Sequence, residues 1–251
     1  MKGFSVMAIE FLPKKENESN RDYVFRVLRY NIMSLQLPPG SILNEYELAQ
    51  EFSMSRTPVH EVLMLLKNQD LVSIAPQSRT AVTLIDLSAA REGYFLRRKI
   101  EPYVLQQLSF YTSPTDMQRL LENLKQQEAL VAAGGSFDAF AALDSEFHQI
   151  MYSAANKPHI WSAIQSCSAH FDRIRYLNAS MTDESNITLP YQQHRDMFFT
   201  LSLGTEQDFS VIDRRVEEHF LSIKDNFVAI LENNRSYFTE NINASDLRPL
   251  K

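Results

Sequence analysis

The chain has 251 residues, 44% of them hydrophobic, and a formal net charge of −6 from 25 Lys and Arg against 31 Asp and Glu. That leaves room for one or two globular domains of ordinary apolar content and speaks against a uniformly basic nucleic-acid binder. The lone Cys167 excludes an intramolecular disulfide framework, MKGFSVMAIEFLPKKENESN does not read as a signal peptide, and no apolar run approaches membrane-spanning length, so a cytoplasmic protein is expected.

Residues 1–19 read as a mobile arm, polar after Pro13 and without a sustained period. From Asn20 to Gln36, Tyr23, Val27, Tyr30, Ile32 and Leu35 lie near helical spacing, and Leu37-Pro38-Pro39-Gly40 stops that helix. Asn44 to Leu66 then reads as two short helices joined by a tight turn. The first carries Leu48, Ala49 and Phe52 on one face; the second starts near Ser55-Arg56-Thr57-Pro58 and turns Val59, Val62, Leu63 and Leu66 inward. Asn44 is a natural cap for the first, and Ser55 or Thr57 for the second, with Pro58 tolerated in a first turn. Helices this short need a third element to pack on, and the polar start of the second suits entry into the DNA major groove. VSIAP and TAVTLI, around Gln77-Ser78-Arg79, are β-prone and predict a hairpin that lacks the glycine favoured in tight turns. Helices plus hairpin predict a winged helix-turn-helix domain over residues 20–85. Residues 1–82 hold nine basic and nine acidic side chains, so this domain is neutral, and dimerisation would help by doubling its phosphate contacts.

After a short connector at Ile85–Ser88 the period is helical throughout, predicting an α-helical bundle over residues 86–233. Six helices are expected, near 88–110, 114–133, 136–155, 158–180, 188–203 and 206–233. Ser113-Pro114-Thr115-Asp116 reads as a capped start, and Gly134-Gly135 and Gly204 as stops. A polar, loosely held tail is expected over 234–251.

Polar residues fall on the inward faces of this bundle. Asp144 and His148 share the stripe of Phe137, Phe140, Ala141, Phe147 and Met151. His194 lies among Tyr191, Phe198 and Leu201, and His219 among Ile212, Val216, Ile223, Phe227 and Ile230. A buried carboxylate is costly unless paired. A lone core histidine is usually hydrogen-bonded structure, and Asp144–His148 alone could be a simple i, i+4 pair. One Asp and three His from three helices can instead satisfy each other around a divalent metal, as bundle metal sites do. Without sulfur in the set, zinc, nickel and manganese all fit, zinc first, with positions left for water or a small anion. Arg97 and Arg175 also lie on or beside inward stripes. Arg97 is either a snorkelling arginine or a partner of Glu101, or else the two guanidiniums bind an effector carboxylate beside the metal. His159 and His170 read as surface or structural. Metal with Asp and His is also a hydrolase inventory, so a metal-dependent enzyme acting on a small carboxylate stays as the rival, though no nucleophile motif or phosphate loop accompanies it, and a regulator with a purely structural metal is the third reading.

The stretch LPPGSILNEYELAQEFSMSRTPVHEVLMLLKNQDLV resembles the winged-helix domain of GntR-type bacterial regulators, and YFLRRKIEP, LDSEFHQIM, QQHRDMFF and VEEHFLSI resemble their FadR branch with its helical FCD effector domain. The resemblance covers roughly residues 20–231. It implies a homodimeric, ligand-responsive transcriptional regulator, a repressor first, on a short palindromic operator. It also implies metal ligation by Asp144, His148, His194 and His219, and small organic or sugar acids as effectors. Base and phosphate contacts map to Tyr46, Ser55, Arg56, Thr57 and His60, with Arg79 on the wing. Arginine often stands where Tyr46 is and usually where His60 is; histidine is shorter and cannot give the same bidentate grip on guanine.

Overall fold

The computed structural model describes residues 9–75, 79–181, 187–203, 208–220 and 225–239. Three helices open the chain: α1 (Asn20–Met33), α2 (Glu45–Glu51) and α3 (Arg56–Lys67). Each is bounded by local chemistry. Ser19 caps α1 through the Asp22 amide, and Asn44 caps α2 through the amides of Tyr46 and Glu47. The turn between α2 and α3 is closed by Ser53, which takes a left-handed φ of 52° and donates its amide to the Gln50 carbonyl at 2.9 Å.

Three strands complete this unit, β1 (Ile42–Leu43), β2 (Val72–Ile74) and β3 (Thr80–Val82), antiparallel in the order β1-β3-β2. Val72 faces Val82, and Leu43 faces Thr80. The hairpin was expected; β1 was not, because two residues show no period. Val27, Leu28, Leu48, Val59, Val62, Leu66 and Val82 make one apolar core, fully or nearly fully buried. The wing tip at Gln77-Ser78 lies outside the described residues.

Residues 9–19, expected to be mobile, are docked on this core. Asn31, fully buried on α1, accepts the Glu10 amide at 2.8 Å and donates to the Glu10 carbonyl at 2.9 Å. The Phe11 ring meets Phe52 edge-on at 5.2 Å, and Arg26 grips Glu18 at 2.7 Å.

The rest is helical: α4 (Leu87–Phe110), α5 (Pro114–Ala132), α6 (Phe137–Ala154), α7 (Pro158–Cys167), α8 (Ala169–Met181), α9 (Thr188–Ser202), α10 (Phe209–Phe220) and α11 (Phe227–Asn233). Six helices were expected and eight are found among the described residues. The span 158–180 divides at Ser168, and 206–233 gives α10 and α11, with the expected stop at Gly204 and the stripe residue Ile223 outside the described residues. The break at Ser168 is a site of close helix packing. α4 reaches the α7–α8 junction at Gly93, where an added Cβ would stand 2.7 Å from the Cys167 carbonyl oxygen and 2.9 Å from Ser168 Cα. Gly93→Ala is therefore expected to cost about 1–3 kcal/mol through overpacking against backbone; an unchanged midpoint of thermal unfolding would show that the junction gives way freely.

The connector is held from both sides. Arg173 on α8, fully buried, donates to the Thr83 carbonyl at 2.7 Å, and His170 Nδ1 accepts the Asp86 amide at 3.0 Å. The Ile85 amide donates to Tyr237 and its carbonyl accepts from Thr239. Phe238 is buried in the bundle core, so the stretch to Thr239, expected as loose tail, is pinned; residues 240–251 lie outside the described set.

Candidate metal centre and DNA-reading face

α6 brings Asp144 and His148 to one face, four residues apart; α9 brings His194 and α10 brings His219. All four are buried, and one ligand atom from each lies within 4.8 Å of the others. Nε2 of His194 stands 3.5 Å and Nε2 of His219 4.0 Å from Asp144 Oδ1, while Nε2 of His148 stands 3.3 Å from Nε2 of His219. The sequence reading thus named four side chains that the fold brings together.

What orients them was not read. His194 Nδ1 meets Gln127 Oε1 at 2.9 Å, His219 Nδ1 meets Gln193 Oε1 at 3.1 Å, and His148 Nδ1 stands 3.2 Å from Glu101 Oε2. The first two are hydrogen bonds; the third is an ion-pair distance with poorer alignment. An imidazole whose Nδ1 faces an oxygen carries its proton there, which leaves Nε2 as a lone pair. The Nε2 atoms of His194 and His219 are thus left as acceptors beside one carboxylate oxygen, with His148 Nε2 in hydrogen-bond range of His219, and His194 Nε2 is buried without a hydrogen-bond partner. Such acceptors and the carboxylate together would hold a cation placed among them. Neutral imidazoles held from behind through Nδ1 are what a divalent ion requires of its histidines.

Gln127, fully buried on α5, extends the support: its amide nitrogen donates to Asn123 Oδ1 at 2.6 Å, and Asn123 donates to Glu146 Oε2 at 2.9 Å. Gln127 continues the stripe of Leu120 and Leu124, so the test for polar residues on an apolar face would have found it in the sequence.

Protonation follows the same logic. Burial pushes the Asp144 carboxyl up, but Arg175 and the neighbouring histidines more than reverse this and hold it well below the usual carboxylate range. Burial lowers His194 to about 3 and pushes His219 well below its usual value. Glu101 is held near 2: burial raises it, and Arg97 and His148 outweigh that.

Both arginines expected to bind an effector stand beside the cluster and are already engaged. Arg175 grips Asp144 with two nitrogens, at 2.8 and 3.1 Å. Arg97, 2% exposed, donates from Nε to Glu101 at 2.7 Å and lies over the Phe220 ring at 4.5 Å, with Nη2 lacking a hydrogen-bond partner. The Glu101 partnership weighed from sequence is present. A cavity of about 330 Å³ lies elsewhere, between α5 and α9, lined by Leu124, Lys125, Tyr191, Arg195 and Phe199. The chemistry of the donor set outweighs that cavity as a guide, since neither the ligand atoms nor the two arginines line it. His159 is exposed; His170 is buried and structural.

At the other end of the molecule, Ser55, Arg56, Thr57, His60, Tyr46 and Arg79 are all exposed. Ser55 is the N-cap of α3 but makes no side-chain capping bond, so the first-turn amides of α3 carry no side-chain cap. Tyr46 accepts from Gln50 at 3.0 Å. Arg79 adjoins β3, one residue before it.

Residues 20–82 match the family described as bacterial regulatory proteins, gntR family, and residues 92–208 match the FCD domain. The chain belongs to the GntR family. The HTH-type transcriptional repressor RspR of Escherichia coli (strain K12) is 29% identical over 217 residues, covering 86% of this chain and 92% of RspR. The gluconate operon transcriptional repressor of Bacillus licheniformis is 29% identical over 136 residues, 53% of this chain and 54% of that protein. Among solved structures, E. coli McbR/YncC shares the fold at a TM-score of 0.71 and 18% identity, over 86% of this chain and 99% of that one. A GntR-type regulator of Rhodococcus sp. RHA1 does so at 0.63 and 18%, with the same coverage. This GntR regulator is thus a DNA-binding transcription factor with an FCD domain, not an enzyme, which sets aside the hydrolase rival. Among its described residues no helix is long and apolar enough to cross a membrane.

Proposed function

We propose that this GntR regulator is a homodimeric repressor of cytoplasmic operator DNA, holding a divalent metal at Asp144, His148, His194 and His219 and responding to a small organic or sugar acid beside it. The observation that carries this is the clustering of Asp144 with three buried histidines, the Nε2 atoms of His194 and His219 standing at one carboxylate oxygen and that of His148 beside His219, while each Nδ1 faces a side-chain oxygen. Zinc, nickel or manganese would suit these donors and supply a Lewis-acidic centre with positions left for a carboxylate. Repression is inferred from RspR and the gluconate repressor, which bear that name.

The chain's own residues supply the response. Arg97 has a buried donor to offer, Nη2. Arg175 is committed to Asp144, so an acid that draws it away alters the hold on α8. The same helix carries Arg173 and His170, which clamp Thr83 and Asp86 where the wing ends. An acid can shift the regulator only by binding one placement of α8 better than another. Moving that helix would change how the two reading domains of a dimer fit two half-sites.

The test is a thermal-shift screen of sugar acids, hydroxy acids and dicarboxylates on the full chain, with and without chelator, after elemental analysis for about one metal per chain. An acid that stabilises only the metal-loaded protein is the expected result. Metal without any acid-dependent shift would make the metal structural, and no metal would return the histidines to hydrogen-bonded core. For the link through α8, Arg173→Met is expected to take up zinc but lose the zinc-dependent change in amide exchange over residues 80–86. The same change in variant and wild type would remove α8 from the path.

A further inference from the structure

Glu45 is the first residue of α2, directly after its Asn44 cap. Its Oε1 stands 3.2 Å from Arg56 Nε, and its Oε2 stands 3.1 Å from His60 Nδ1. Arg56 and His60 lie four apart on α3 and so project from one face. Their side chains are 67% and 60% exposed, with Glu45 at 25%. A carboxylate on a surface that approaches phosphates opposes binding, and neither the resemblance nor the composition assigns this one a role.

What each contact leaves available supplies one. Arg56 is held through Nε, so Nη1 and Nη2, the fork that reaches guanine O6 and N7, are without a partner among the described residues. His60 faces the carboxylate through Nδ1. Two acceptors cannot share a bond, so this contact places a ring proton on Nδ1, and in the tautomer with that single proton Nε2 is a lone pair. A lone pair accepts from the amino groups of adenine N6 or cytosine N4 and is refused by the acceptor face of guanine.

We infer that Glu45 is a specificity-determining residue of the reading face, holding Arg56 with its fork free for guanine and setting His60 as an acceptor for a base amino group. The inference rests on the proposed assignment of Arg56 and His60 as base readers. It identifies the half-site by chemistry: a guanine close to an adenine or cytosine, where an arginine at position 60 would have asked for a second guanine. Glu45 contributes discrimination and no affinity.

The experiment is selection of the full-length protein on a randomised duplex library at fixed salt, with binding to a siteless duplex measured alongside. Wild type is expected to enrich a guanine and a nearby amino-bearing base. Glu45→Ala should lower both preferences together, each by about 10-fold, while the siteless duplex binds more tightly because a negative charge has left the surface. Glu45→Gln keeps the shape of the side chain with one acceptor oxygen and should retain one preference of the two. It also keeps the question answerable should the alanine variant not fold. Arg56→Ala and His60→Ala should each erase a single preference; if neither does, the readers are misassigned and the inference falls with them. If both do and Glu45→Ala leaves the two preferences intact, or weakens specific and siteless binding equally, the role of Glu45 is overturned while the readers stand.

Discussion

Chelation is expected to lower the unfolding midpoint of the zinc-loaded regulator by about 10 °C and to leave His194→Ala unmoved. A ligand present at a thousand times its dissociation constant stabilises the folded state by about 4 kcal/mol. In a chain of this size each kcal/mol is worth roughly 2–4 °C. His194 is the sensitive member because its Nε2 has no hydrogen-bond partner, and its ring is stacked on Phe147 at 4.5 Å and set by Gln127. The alanine variant also loses that stack, so its absolute midpoint will fall. The response to chelator, measured by calorimetry on wild type and variant together, is what decides. Equal responses would take His194 out of the ligand set.

Acidification from pH 8 to pH 5 is expected to cost about 2 kcal/mol of stability through His170 alone, and His170→Gln should remove that share. His170 Nδ1 receives two donors, the Asp86 amide at 3.0 Å and Arg173 Nη2 at 2.9 Å, so the folded protein needs it unprotonated. Burial, with Arg173 alongside, lowers its pKa from 6.5 to about 4. Between those values the unfolded chain binds a proton that the folded chain does not, and stability therefore rises with pH. The contribution is complete above 6.5 and is lost as pH falls towards 4. Urea titrations of both proteins across that range isolate the difference, because the other buried histidines add the same slope to each. Parallel curves would show that His170 is not the titrating group.

Much of the fold was legible because the forces that set it are local. The α3 stripe of Val59, Val62, Leu63 and Leu66, the Asn44 cap and the Ser113 start all appear where spacing and capping chemistry place them. The close packing of α4 on the junction at Ser168 was not legible, because it joins Gly93 to backbone far along the chain. Nor was the docking of residues 9–19, whose anchor is a buried asparagine on α1. Asp144, His148, His194 and His219 were readable one at a time, as polar side chains on apolar stripes. Of their supports, Gln127 bears the same mark, while Gln193 and Glu101 are ordinary polar residues until the helix opposite is placed.

By itself the sequence determined which faces are apolar, where helices start, which polar residues open α3 and that an aspartate and three histidines point into one bundle. Those follow from periodicity and capping, which act over a few residues. Only the tertiary structure decided that Nε2 rather than Nδ1 faces the centre and that Arg175 is spent on Asp144. It alone showed that one helix touches both Asp144 and the end of the wing, and that Glu45 contacts both Arg56 and His60. Each of these is a contact between groups far apart in the chain, fixed by how helices pack, and helix packing is set by all the apolar faces at once.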